Sequence, residues 1–460
     1  MTAASGSLLN DRYRLAEEIG RGGMAAVFRA RVLDPAVDAH NARYLFDVKG
    51  AKLFHQGERS STEELGIVAL DDHTLRIELE APASYFLYLL AISPTYAIPA
   101  HVLASKGEAW TLPSNIVTCG PFRIEEWVPP GHIVLSRSPI FHGKSSGNLQ
   151  RVEVLLSALR APSDELPLYE ADRVSFAFPP ESKVGEARHR YPGQYVTYPS
   201  ATSEWVWIDL RRPPFNDGRV RRAFVHACDR ERLVLEAYHG LHLPATGGLV
   251  PVGIPGHQPG IGLAYDLEKA RALLAEAGYR LGREFPTIDF LGQPWVKESP
   301  GVRHLLSQWS DLGIHFRVSY LERQEVRQKM EQDPPHMFYA GWLADYPDPD
   351  NFLRVGVSTY ADILWNREYS ELILAASEAS GMADRLALYA KAERLLIQEA
   401  AIMPVIYFQR HFLLKPWVRR FPISPLKGWF WKDVVIEPDP GDVGSTASGV
   451  PSTRLESDRG

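Results

Sequence analysis

The sequence predicts an α/β protein built on parallel strands, and three observations carry that reading. Strand-like and helix-like segments alternate through the middle of the chain. Thr287–Leu291 reads as a strand, Val302–Asp311 as a helix, Ile314–Leu321 as a strand, Glu322–Gln332 as a polar helix and Met337–Trp342 as a strand. Such alternation implies parallel strands covered by helices. Helix punctuation is clear at Asp266–Ala277, where Asp266 can accept a free N–H group of the first turn and Gly278 sits just past the end. A further helix, with an apolar stripe of Leu388, Ala392, Leu395 and Ala400, runs into Ile402–Phe408, an extended buried run.

Size and composition narrow the functional class. At 460 residues the chain is long enough for about three domains and a large core. Apolar residues make up 45% and charged residues 23%, the balance of an ordinary globular protein. A net charge of −6 argues against a nucleic-acid footprint. Cys119 and Cys228 supply neither a disulfide framework nor a metal signature, and Cys228 lies in an apolar helical pattern, where a buried, inert thiol is expected. The histidines are scattered without ligand spacing, so no metal and no cofactor is expected. The N-terminus lacks a basic start followed by an apolar stretch, and on that ground alone the chain stays on the side of the membrane where it is made. Ala81–Ser105 is broken by Pro94 and Pro99, too soon for a membrane span, and reads as a buried helix followed by a loop.

Chemistry concentrates in the segment Ala340-Gly341-Trp342-Leu343-Ala344-Asp345-Tyr346-Pro347-Asp348-Pro349-Asp350-Asn351. An aromatic strand ends here on an acidic, proline-broken loop. Ligands of open α/β sheets collect outside the carboxyl ends of strands, so Asp345 stands where a cationic group could be met. The same residues read equally as aspartates that only cap turns. Asp348 and Asp350 hint at calcium, but the other oxygen ligands and the loop spacing that it needs are missing. Arg219, Arg221 and Arg222 read as a solvated or salt-bridged helix start. Gly143-Lys144-Ser145 lacks the earlier glycine of a phosphate loop, since Ser138 stands there, and reads as a polar surface turn.

Residues 1–32 end in a glycine-rich hairpin pattern, and Gly20-Arg21-Gly22-Gly23-Met24-Ala25-Ala26-Val27 resembles the glycine-rich loop of bacterial Ser/Thr protein kinases. In that loop, glycines let backbone N–H groups approach ATP phosphates. The rest of a kinase is missing: there is no strand lysine at the expected distance, no His-Arg-Asp loop and no Asp-Phe-Gly. The expectation is a kinase remnant without phosphoryl-transfer activity.

From Val32 to Glu437 the chain resembles the oligopeptide/dipeptide-binding proteins, the family 5 extracytoplasmic solute-binding receptors of ABC transporters. Six runs carry the match in order: Val68–Leu75, Cys119–Trp127, Pro213–Phe224, Leu273–Tyr279, the Asp345 loop and Lys415–Val418. The resemblance implies a type II periplasmic-binding-protein fold, with two discontinuous lobes closing on a hinge over an extended peptide. It implies lobe I at 113–205 and 415–436, lobe II at 206–414, the remainder of an accessory domain at 33–112 and a disordered tail at 437–460. The family's own first stretch, which begins one lobe and much of the accessory domain, is expected to be missing.

The resemblance also implies a site. Asp345 matches the family acid that pairs with a peptide's α-ammonium group, and Trp342 matches an aromatic wall of that pocket. Ala344 and Tyr346 flank the acid. Glu204 and Trp205 fall where the family places ligand contacts, although Trp205 reads equally as part of a buried sheet edge. Tyr339 stands where some oligopeptide binders have an arginine, so recognition of a peptide's carboxylate end does not carry over. The expected protein is a monomeric, non-enzymatic receptor for a peptide or other amine-bearing small ligand. It is expected to be partnered by an ABC permease and, by family, extracytoplasmic. The alternatives are a sensing module of a kinase–receptor fusion that has lost its catalytic domain, or a truncated product without function.

Overall fold

A computed structural model describes residues 8–9, 13–22, 25–30, 42–59, 61, 64–71, 74–92, 95–96, 99–156, 165–279, 285–360, 366–379, 381–426 and 428–437. The expected tail beyond Glu437 and the junction at 31–33 lie outside them, as do Gly23 and Met24 of the kinase-like loop. The chain divides into two compact units, residues 1–116 with 198–410, and residues 117–197 with 411–460.

The larger unit is organised by a mixed sheet. Six of the sheet's seven strands are β1 (Tyr195–Ile208), β2 (Leu243–Pro244), β3 (Ile288–Gly292), β4 (Phe316–Tyr320), β5 (Met337–Leu343) and β6 (Ile402–Leu414), in the spatial order β2-β6-β1-β5-β3-β4. β3 pairs in parallel with β4 (Phe290 opposite Val318) and with β5 (Leu291 opposite Phe338). The strand–helix–strand alternation therefore gives the parallel ladder expected of it. β1 closes on β5 in antiparallel register, Glu204 opposite Gly341 and Trp205 opposite Ala340.

Three of the helices follow one local rule. α1 (Gly218–His226), α2 (Arg230–Tyr238) and α3 (Leu267–Glu276) each start behind an aspartate, Asp217, Asp229 or Asp266, whose carboxylate accepts a first-turn N–H at 2.8–2.9 Å. Each such cap contributes about 1 kcal/mol. After α3 the chain reverses at Gly278, whose φ of 97° lies in the left-handed region that glycine tolerates. The arginines at the start of α1 are paired: Arg219 with Asp217 at 2.6 Å, and the buried Arg221 with Glu399 at 3.1 Å.

The core lies on the helix-covered face. Phe290, Trp309, Phe224 and Phe215 are fully buried, and the Trp309 indole N–H donates to the Phe224 carbonyl at 2.9 Å. Cys228 is also fully buried, and desolvation pushes its thiol up to about 11, which makes it inert at neutral pH.

Two expectations need correcting. The buried stripe of α4 (Met382–Gln398) is Arg385, Tyr389, Ala392, Glu393, Leu396 and Ile397, whereas Leu388 and Leu395 are only half-buried. The inward face contains two ionisable side chains, Arg385 and Glu393, whose partners lie elsewhere in the sequence, so a purely apolar count rotates the helix. Ala81–Ser105 is not one buried helix and a loop. It holds a single turn, Phe86–Leu89, and a second helix, Ala100–Lys106. In the first turn Tyr85, Phe86 and Leu89 are buried while Leu87 is 76% exposed.

Tyr13–Gly22 and Ala25–Ala30 pair as an antiparallel hairpin. In the smaller unit, Phe122–Val128, His132–Arg137 and Arg151–Leu155 form an antiparallel meander. A small core of Leu149, Val152, Val418 and Val434 packs there.

Candidate functional site

The site is built where β5 ends. The Ala344 N–H donates to the Ala201 carbonyl at 2.9 Å, which carries the β1 pairing one residue beyond the strand and fixes where the loop leaves the sheet. Asp345 follows and is half-buried. Its backbone N–H donates to Oδ1 of Asn351 at 3.0 Å, and the Trp342 indole N–H donates to the same oxygen at 2.7 Å. One fully buried amide thus sets both the carboxylate's backbone and the aromatic wall beside it. Asn351 opens a π-helix, Asn351–Gly356, a winding that often marks a functional segment.

The Asp345 carboxylate accepts a hydrogen bond from the phenol of Tyr44, which sits in the 3-10 turn Ala42–Leu45. Burial, the hydrogen bond to Asp345 and that residue's charge push the Tyr44 hydroxyl up to about 12, while Arg43 pulls the other way. The phenol therefore stays protonated and donates. Among the described residues, no lysine, arginine or histidine forms an ion pair with Asp345.

The other aspartates of the loop are fully committed. Asp348 takes a bidentate guanidinium from Arg385 at 2.6 Å on both arms. Asp350 takes Arg354 at 2.8 and 2.6 Å, and the phenols of Tyr346 and Tyr389 at 2.6 Å each. Burial alone would push the Asp350 carboxyl up, but the charge and hydrogen bonds of Arg354, with the two phenols, hold it below the usual carboxylate range. The oxygens a calcium ion would need are already occupied by cations and phenols.

The six residues singled out from the sequence separate into groups. Asp345 and Trp342 meet at Asn351, with the buried Ala344 between them. Tyr346 is 1% exposed, with its hydroxyl on Asp350 and its ring stacked on Tyr85 and Tyr88 at 6.0 and 6.4 Å. Glu204 accepts from the Tyr339 phenol at 2.7 Å, and Tyr339 is itself fully buried. Trp205 is 1% exposed and, as Glu204's neighbour on β1, points to the opposite face of the sheet. Tyr44, Arg43 and Asn351 were not singled out. Tyr44 lies 301 residues from Asp345, and no local pattern links them. Asn351 had a local signal, being the only amide in the loop.

Among the described residues there is no cluster of three or more His, Cys, Asp or Glu able to hold a metal ion, and no helix long and apolar enough to cross a membrane.

Comparison with known proteins gives consistent relatives. The family described as bacterial extracellular solute-binding proteins, family 5 (middle region), matches residues 28–362. The probable deoxycholate-binding periplasmic protein YgiS of Escherichia coli K12 is 30% identical over 423 residues, spanning 88% of this chain and 77% of that protein. The periplasmic oligopeptide-binding protein OppA of the same organism shares 30% identity over 423 residues, with the same coverage. The unliganded, open form of the periplasmic murein tripeptide-binding protein MppA superposes with a TM-score of 0.72 at 23% identity, covering 88% of this chain and 80% of that one. That likeness fixes the fold. The reading that the chain stays on the side where it is made finds no support here, because these relatives are periplasmic proteins.

Proposed function

Because the chain belongs to family 5 of the bacterial extracellular solute-binding proteins, we propose that it is the extracytoplasmic peptide receptor of an ABC importer, with Asp345 accepting the ligand's α-ammonium group. It acts as a monomer that delivers its ligand to a permease and catalyses no reaction.

The observation that carries this reading is the state of the Asp345 carboxylate. It is half-buried beside the buried Trp342, holds one neutral phenol, and makes no ion pair among the described residues. A carboxylate has about four acceptor positions. One is used by Tyr44, and the others stay open to an N–H of an ammonium group. A cation removed from water must be paired, so the carboxylate supplies what a free amino terminus needs and a blocked one does not. Peptide backbone pairing, as in strand addition, would add affinity without reading side chains.

The relatives offer a competing ligand. OppA is named for oligopeptides, whereas YgiS, at the same identity, is named for deoxycholate, a carboxylate with no amine. Calorimetry with a tripeptide, its N-acetylated twin and deoxycholate separates them. The free tripeptide is expected to bind, and acetylation to weaken it at least a hundredfold, about 2.7 kcal/mol. Binding of deoxycholate alone, or equal binding of both peptides, overturns the proposal.

A further inference from the structure

Next to Tyr44 lies a guanidinium, that of Arg43, whose surroundings among the described residues hold no ion-pair partner. Arg43 is half-buried, and among the described residues no carboxylate forms an ion pair with it. Its Nη1 donates to Oγ1 of Thr359 at 3.0 Å, and Thr359 has given its own hydrogen to the Val355 carbonyl at 2.7 Å. Thr359 is therefore a neutral acceptor and compensates no charge. Nε of Arg43 is buried and has no hydrogen-bond partner among the described residues. The guanidinium carbon stands 5.7 Å from the centre of the Trp342 ring and 5.4 Å from that of Tyr44. Both rings belong to the Asp345 site: Trp342 shares Asn351 with it, and Tyr44 donates to its carboxylate. Cation–π contact with two rings orients the guanidinium without engaging its N–H groups, and Nε stays without an acceptor among the described residues.

We infer that Arg43 is an anion-binding residue of this same site, so that the ligand it takes carries a carboxylate close to its ammonium group, as does a peptide beginning with aspartate or glutamate. The inference rests on the peptide reading above and sharpens it. A lone carboxylate selects a cation. A carboxylate and a guanidinium on either side of one phenol select a dipole. The planar fork of arginine suits a carboxylate through paired N–H donors, and Nε is one of the two donors such pairing uses.

The test needs only the wild-type protein and four peptides: Glu-Ala-Ala and Gln-Ala-Ala, each with a free and an acetylated amino terminus, titrated calorimetrically. With free termini, Glu-Ala-Ala is expected to bind about tenfold tighter than Gln-Ala-Ala, about 1.4 kcal/mol. Arg43→Gln is expected to bring that ratio to about one, and Arg43→Lys to retain part of it. Equal wild-type affinity for the two free peptides, with acetylation still weakening both, removes Arg43 from the role and leaves Asp345 in place. If acetylation makes no difference to either peptide, the ammonium reading falls first and the dipole falls with it. The wild-type ratio decides the matter even if an Arg43 variant folds poorly.

Discussion

At one end of the loop after β5, Asp350 is wholly buried and held by Arg354, Tyr346 and Tyr389. At the other end Asp345 is half-buried and met, among the described residues, by one phenol and no cation. The residue type and the loop are the same, so the difference lies in partners. A buried carboxylate whose acceptors are filled by a guanidinium is finished chemistry that holds two segments together. A carboxylate beside an aromatic wall, with acceptors to spare, is the kind that can take a charge from outside, which is the role proposed for Asp345.

The largest expected effect breaks the finished end. Arg354→Met leaves the fully buried Asp350 carboxylate without its cation and is expected to destabilise the fold by roughly 3–5 kcal/mol, read from urea unfolding at constant m. A loss below about 1 kcal/mol would mean that this end is not structural.

A buried acid with a different environment sharpens the comparison. Glu393 accepts the Val250 N–H at 2.8 Å and the Gln258 amide at 2.7 Å but forms no ion pair among the described residues, and burial pushes its carboxyl up from the usual 4.5 to about 7. The folded protein therefore holds that proton more tightly than the unfolded chain does. The associated stability is complete below pH 4.5 and is lost as pH rises through about 7. It amounts to roughly 3 kcal/mol. Unfolding curves between pH 4 and 8 are expected to show this slope, and Glu393→Gln to flatten it.

The smallest expected effect is at the hinge of the contrast. Asn351→Leu removes the acceptor shared by Trp342 and the Asp345 backbone and should cost roughly 1–3 kcal/mol of stability. The loss is moderated because the Asn351 amide nitrogen is already buried without a hydrogen-bond partner among the described residues. Peptide affinity is expected to fall as well, since both walls of the site lose their anchor. A stability loss with unchanged affinity would confine Asn351 to packing.

The sequence made the parallel ladder legible because strand–helix–strand alternation is local, and it made α3 legible because Asp266 and Gly278 mark its two ends directly. It pointed to Asp345 through an equally local cue, an acid at the end of an aromatic strand. The inward faces of α4 and of the loop were not legible. Arg385 turns inward only because Asp348, 37 residues away, receives it. Tyr44 reaches Asp345 across 301 residues. Charge buried by long-range pairing leaves no periodic trace, so reading apolar spacing rotated one helix and passed over the phenol on Asp345 and the guanidinium beside it. The Asp350–Arg354 spacing of four residues was the one part of the network open to local reading.

As proposed above, Asp345 is held ready for an ammonium group and contributes little to holding the fold. Calorimetric titration of Asp345→Asn with a tripeptide that wild type binds tests it most directly. The account predicts an affinity loss of about 2–5 kcal/mol with the unfolding midpoint nearly unchanged. Unchanged affinity for the free-amine peptide would contradict it.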